Sequence, residues 1–284
     1  MKYLKILFKL LISATIITLI VRKIDEKLLL KLLGEARLPW LCWAIVWFTG
    51  SKIMAAYRFN ALLATEGVVL KVRENLRLYW LGMYYNLLLP GGVSGDGYKI
   101  KVLMEKFGKS FKRMFAVTLL DRLSGMVTLG QICLLLLPGI PLFAKWWWLS
   151  VIGIFAAVPF SQKLYQWAGG PLGRAWTITT LQSFVVQLSQ VVSVLGIIFA
   201  LGEGEYWLCY SVLFLVSSVV AMLPLTIGGA GARELTFLYG ASLLDVDSEK
   251  AVAIAFLFYL ISTGVALFGG MYSFRKQDKI LSGE

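Results

Sequence analysis

Pro90-Gly91-Gly92-Val93-Ser94-Gly95-Asp96 and Pro224-Leu225-Thr226-Ile227-Gly228-Gly229-Ala230-Gly231-Ala232-Arg233-Glu234 interrupt two otherwise apolar stretches of the chain. Proline lacks the amide hydrogen and restricts the residue before it, so each string stops a helix. The glycines permit tight turns and close backbone approach. Each string then ends on an acidic residue at the start of a new helix. Broken helices at membrane depth are tolerated only where they are buried in protein or line a wet cavity. A pair of them in corresponding places of two halves is the pattern of an inverted repeat around a binding site at mid-membrane.

Composition agrees with a membrane setting. Of 284 residues, 58% are hydrophobic and 15% charged, where a soluble domain carries about 25% charged residues. Several runs approach the ~20 residues of helix that cross ~30 Å of hydrocarbon. The apolar segments lack the alternation of a β-barrel. The net charge of +12 sits in short loops beside the apolar runs, which is topological placement and not a nucleic-acid footprint. Cys42, Cys133 and Cys209 are scattered, and histidine is absent. Zinc spacing, a disulfide framework and histidine catalysis are therefore not expected, and no metal or cofactor is implied.

The expected architecture is an all-α polytopic membrane protein forming a single transmembrane domain over 1–284. Spanning helices are expected at about 4–21, 38–58, 113–137, 145–161, 175–201 and 249–273. Two re-entrant hairpins are expected at 76–105 and 206–243. The inverted halves are then about 1–138 and 139–284. The start of the chain, lysines followed by an apolar run, is read as a retained first helix. Residues 22–37 mix leucines with Arg22, Lys23, Lys27, Lys31 and Arg37; a surface helix and a wrong span count both explain them. Lys99, Lys101, Lys106, Lys109, Lys112 and Arg113, then Lys163 and Arg174, then Arg275, Lys276 and Lys279 mark cytoplasmic segments. The acidic 202–206 and 244–249 are expected outside. Both termini then face the cytoplasm of a cell (inner) membrane.

A few ionisable residues fall within apolar segments, where isolated charge is costly. Asp96 can cap the restarted helix or meet a substrate, and that helix start is itself suited to a lipid phosphate. Lys99 lies three residues on, on the same face, and can pair with Asp96 or hold an anionic head group. Arg233 and Glu234 occupy the matching place in the second hairpin, where a salt-bridged tip and substrate contact are both open. Asp121 and Arg122 lie deep in their helix and, as sequence neighbours, need separate partners; Arg233 and Glu234 are the candidates. Lys52 is the deeper functional candidate of its helix, while Arg58 is expected to snorkel to the interface. Gln182, Gln187 and Gln190 are read as packing contacts. The set Lys52, Asp96, Lys99, Asp121, Arg122, Arg233 and Glu234 is expected around one polar cavity. Lys52 and Lys99 are placed near its cytoplasmic mouth. Pro90, Gly91, Gly92, Gly95, Pro224, Gly228, Gly229 and Gly231 form the structural breaks.

At these residues the chain resembles the lysylphosphatidylglycerol synthase transmembrane-region family. The carriers are Leu89 to Asp96, Asp121-Arg122-Leu123 and Thr226 to Glu234. The resemblance implies a flippase-like membrane domain of two inverted halves, as in the bacterial multiple-peptide-resistance factor, handling a phospholipid or polyprenyl-linked lipid. It does not extend to a soluble aminoacyl-transferase domain, so lysyl transfer is not implied. Ser94 and Lys99 depart from the common glycine and arginine. The leading expectation is a non-enzymatic lipid translocase. A lipid-modifying transferase is less well served, because no Asp-x-x-Asp pair occurs within the spans. A non-catalytic protein presenting lipid to a separate transferase is the third reading. Membrane lipids with anionic or phosphate head groups are the expected partners; a separate transferase and a second copy of the chain stay open.

Overall fold

The computed structural model describes residues 34–88, 94–222 and 231–273. The expected first helix, most of 22–37, the C-terminal tail, and the breaks at Pro90, Gly91, Gly92, Pro224, Gly228 and Gly229 lie outside the described residues. Among the described residues the structure is all-helical, without strands.

The principal helices are α1 (Leu38–Thr65), α2 (Val72–Leu88), α3 (Ser94–Phe107), α4 (Phe111–Leu136) and α5 (Trp147–Ala168). They are followed by α6 (Trp176–Ala200), α7 (Trp207–Met222), α8 (Ala232–Leu244) and α9 (Ser248–Leu267). Among the described residues four segments are long and apolar enough to cross a membrane: Phe111–Gly139, Gly170–Ala200, Gly204–Met222 and Ser248–Tyr272. They contain α4, α6, α7 and α9. Of these, α7 is the first arm of the second expected hairpin and could cross by itself. α1 and α5, both expected to span, fall outside this set because tryptophan, tyrosine and the charged or amide side chains dilute their apolar content.

Boundaries differ from expectation where polar residues find partners inside the fold. α1 continues past Arg58 to Thr65 because Arg58 is buried instead of turning to an interface. Asn60 then holds the following loop, accepting from Leu70 N and donating to Leu70 O, both at 3.2 Å. Gly67, at φ +72°, turns the chain after the helix end. α5 extends to Ala168, and Gly169 at φ +73° ends it.

α1 and α6 form the most extensive helix pair. Small residues let them approach: Ser193 Oγ donates to Ala44 O at 2.8 Å. A Cβ placed on Gly196 would stand 2.9 Å from Trp40 O. Without a hydrophobic drive between helices in lipid, such close packing and interhelical hydrogen bonding are what hold spans together. Around this pair, α2 packs on α3 and α7 on α8. α4 touches α3 and α7, and α9 touches α8 and α2. A Cβ on Gly95 would lie 1.8 Å from Gly82 O, so α2 and α3 meet backbone to backbone at that point.

The two ends differ in charge: the α3–α4 turn carries Lys106, Lys109, Lys112 and Arg113, whereas the α6–α7 and α8–α9 turns carry Glu203, Glu205, Asp245, Asp247 and Glu249 with Lys250. At one end Arg113 bonds Glu66 and reaches the Gly169 carbonyl at 3.4 Å, tying the start of α4 to the ends of α1 and α5. Lys106 pairs with Glu74 there at 3.1 Å. At the other end Lys250 pairs with buried Glu203, which also accepts from Tyr210 Oη at 3.2 Å. Asp247 caps α9 by accepting from Glu249 N and Lys250 N.

Candidate functional site

A cavity of about 320 Å³ lies among α1, α2, α3, α4, α6, α7, α8 and α9. Its wall combines the middles of α1, α4, α6 and α9 with the ends of α2 and α7 and the starts of α3 and α8. Gln187 stands eleven residues into α6, hence ~16 Å along that axis. Phe258 and Ser262 come from the interior of α9, and Gly125 and Leu129 from that of α4.

Charge in the wall is unbalanced. Lys52, Arg58, Lys99, Arg122 and Arg233 face Asp96 and Asp121, a surplus of three positive charges. Asp121, 4% exposed, accepts from Arg58 Nε at 2.8 Å. Arg58 Nη1 also donates to Ser183 Oγ at 3.0 Å. Gly125 leaves the room, since a Cβ there would stand 3.2 Å from Arg58 Nη1. Gln187 donates to the Gly125 carbonyl at 2.9 Å. Asp96 serves two cations: Lys99 Nζ at 2.8 Å on its own helix, and Arg122 Nε from α4. Lys99 also lies over the Phe59 and Tyr79 rings, at 4.5 and 5.2 Å.

The remaining two cations have no carboxylate partner among the described residues. Lys52 Nζ sits 4.5 Å from the Phe48 ring centre. The Arg233 guanidinium lies 4.7 Å from the Phe258 ring and 5.2 Å from that of Phe214. Its Nη1 donates to Ser217 and Ser218 at 3.0 and 3.1 Å. Cation–π contact is worth ~0.5–2 kcal/mol, and a charge at the bilayer centre costs at least ~2.5 kcal/mol on the most lenient scales. The single aromatic face at Lys52 therefore does not offset the cost, and with Arg233 beside it this part of the cavity suits an anion.

The structure gathers six of the seven expected residues: Lys52, Asp96, Lys99, Asp121, Arg122 and Arg233 all line the cavity. Glu234 does not. Its carboxylate turns back to accept from Gly231 N at 2.8 Å and closes the capping box that starts α8. Asn86 Oδ1 likewise takes Gly95 N at 2.8 Å at the start of α3. Both restarted helices are thus bonded by the protein's own side chains near their first turns, and the cations without carboxylates become the better anion site. The expected pairing of Asp121 and Arg122 with Arg233 and Glu234 is also corrected. Arg58 takes Asp121 and Asp96 takes Arg122, because those side chains come from helices that pack on α4. Lys99 is 5% exposed and buried in its ion pair, not held open at a rim.

Sequence reasoning passed over Tyr79, Asn86, Ser218 and Phe258, which line the cavity, and set Arg58 at an interface. The charge of Arg58 inside an apolar run was signal enough for Arg58. For the others, uncharged residues in apolar helices, no periodicity marks the cavity side. Among the described residues no three His, Cys, Asp or Glu side chains come together as metal ligands.

The chain matches the family described as lysylphosphatidylglycerol synthase TM region over residues 6–165. No curated protein matches it.

Proposed function

The chain belongs to the lysylphosphatidylglycerol synthase transmembrane-region family, and we propose that it is a lipid translocase of the cell membrane whose central cavity takes a lipid head group while the acyl chains stay in the bilayer. The observation that carries this reading is the charged cavity of about 320 Å³ enclosed by eight helices, four of which belong to segments long and apolar enough to cross a membrane. Such a cavity in a polytopic protein is a substrate pathway by its cost alone. Both of its carboxylates are spent in ion pairs. That leaves no free acid–base pair and favours movement of lipid over its chemical modification.

The topology we propose has six spans, with α1 and α5 crossing in addition to α4, α6, α9 and the first helix. The pairs α2/α3 and α7/α8 are read as re-entrant hairpins. Packing supports an inverted repeat. Exchanging α1 with α6, α2/α3 with α7/α8 and α4 with α9 leaves the pattern of contacts described above unchanged. The charge difference between the two ends supports cytoplasmic placement of the Arg113 end and hence of both termini.

Reconstitution into liposomes carrying a fluorescent phospholipid tests the function. Dithionite bleaches only outer-leaflet probe, so translocation appears as bleaching beyond one half. Protein-containing vesicles that bleach no further than empty ones refute the reading. Single cysteines at Lys109 and Asp245 in a Cys-less background test the topology, with external labelling expected only at 245.

A further inference from the structure

We propose that the cavity contains a built seat for one phosphate, formed by Lys52 of α1 and Arg233 of α8, and that it selects lipids with a net anionic head group over zwitterionic or aminoacylated ones. The inference rests on the reading that a lipid head group enters this cavity.

The two cations are held next to each other by one aromatic cluster. Lys52 lies over Phe48, and Arg233 lies over Phe258 and Phe214. Phe48 and Phe258 meet edge to face with ring centres 5.3 Å apart, and Phe214 and Phe258 at 4.7 Å. The two like charges repel each other, and no carboxylate among the described residues ion-pairs with either; Glu234 acts on Arg233 only at a distance, its carboxylate being bonded to Gly231 N. An anion between them removes both costs at once.

The hydrogen bonding of Arg233 fits a phosphate in particular. A guanidinium has five N–H donors in a fixed fork. Among the described residues only Nη1 is engaged, by Ser217 and Ser218. Those hydroxyls donate their own hydrogens to Phe214 O, each at 2.8 Å, so they face Arg233 as acceptors and fix its orientation. The Nε and Nη2 edge keeps its donors, and that edge is the one that takes two phosphate oxygens together. Lys52 adds a point charge with three rotatable donors.

The same geometry disfavours a head-group amine. An ammonium is held by a carboxylate, a carbonyl or an aromatic face; Asp96 and Asp121 are already held by Lys99, Arg122 and Arg58, and the Phe48, Phe214 and Phe258 faces by Lys52 and Arg233. An aminoacyl head group would bring further positive charge into a wall that already carries a surplus of it.

Thermal unfolding of the purified protein in detergent measures binding apart from transport, with four additives: phosphatidylglycerol, phosphatidylcholine, lysyl-phosphatidylglycerol and inorganic phosphate. Phosphatidylglycerol is expected to raise the unfolding temperature and the other three to leave it near the additive-free value. Arg233→Gln and Lys52→Gln should each move the phosphatidylglycerol response to at least ~10-fold higher concentration, the loss of one charge-assisted contact. Arg233→Lys, which keeps the charge and the fold, should weaken it less. An equal response to phosphatidylcholine or to lysyl-phosphatidylglycerol overturns the selectivity. A response to inorganic phosphate that matches the lipid overturns the lipid assignment. A folded Arg233→Lys or Lys52→Gln protein with an unshifted response overturns the seat. If phosphatidylglycerol stabilises the protein as expected but no lipid crosses the liposome bilayer, the seat stands and the translocase reading falls.

Discussion

Asp121→Asn isolates the ion pair that joins α1 to α4. The substitution keeps the shape of the side chain and removes its charge. Arg58 then stays buried, with its side chain only 6% exposed, facing a neutral amide that can accept one N–H. Ser183, its other partner, accepts from Arg58 while donating to Thr179 O at 2.7 Å, but a neutral hydroxyl cannot balance the charge. Exposed ion pairs are worth ~0–1 kcal/mol, whereas breaking a buried pair from one side costs roughly 3–5 kcal/mol, because a desolvated charge is left alone. The retained amide acceptor places Asp121→Asn toward the lower part of that range. Replacing both partners with apolar residues of similar size, as in Arg58→Met with Asp121→Leu, removes the stranded charge and is often neutral or stabilising. The double variant should therefore unfold at a higher temperature than either Asp121→Asn or Arg58→Met alone. Unfolding of the three variants and the parent in one detergent, followed by tryptophan fluorescence, gives the comparison. A loss below ~1 kcal/mol for Asp121→Asn would mean that water reaches the pair. A double variant no more stable than either single would mean that the stranded charge is not what the singles lose. Either result refutes the reasoning.

Gly95→Ala should be the most damaging of the small substitutions. Its methyl would lie 1.8 Å from Gly82 O, which no rotamer relieves, so α2 and α3 must separate. Overpacking of this kind typically costs about 1–3 kcal/mol, and a parent-like unfolding temperature would show that the helices are not in contact there. Asp96→Asn should destabilise the protein more than Arg122→Ala, because Asp96 serves two cations and Arg122 can be removed while Lys99 stays paired; the reverse order in a melting series counts against the shared carboxylate. Glu234→Ala should cost ~0.5–2 kcal/mol through loss of its cap and leave the phosphatidylglycerol response unchanged, since Glu234 faces Gly231 and not the cavity. A shifted lipid response would return it to the site.

Much of the architecture follows from local chemistry that a sequence carries by itself. Apolar run length, proline and glycine placement and the distribution of lysine and arginine mark helices whose positions lie close to those observed. The same cost of isolated charge picked out Lys52, Asp96, Lys99, Asp121, Arg122 and Arg233 as residues that had to share a polar space, and they do. Even the Asp96–Lys99 pair is local, three residues apart on one helix. What tertiary structure alone decided is which cation meets which carboxylate. Arg58 and Asp121 are 63 positions apart and Asp96 and Arg122 are 26 apart; neither pairing has a periodic signature, because each depends on which helices pack on α4. That same choice spends both cavity carboxylates, while Glu234 turns back to its own helix start through a local contact three residues apart. Lys52 and Arg233 are thereby left on a shared aromatic cluster with no ion-pairing carboxylate among the described residues. A charge in a sequence has a cost fixed by its surroundings in general, but the partner that meets the cost is fixed by distance, and distance between remote residues is a property of the fold.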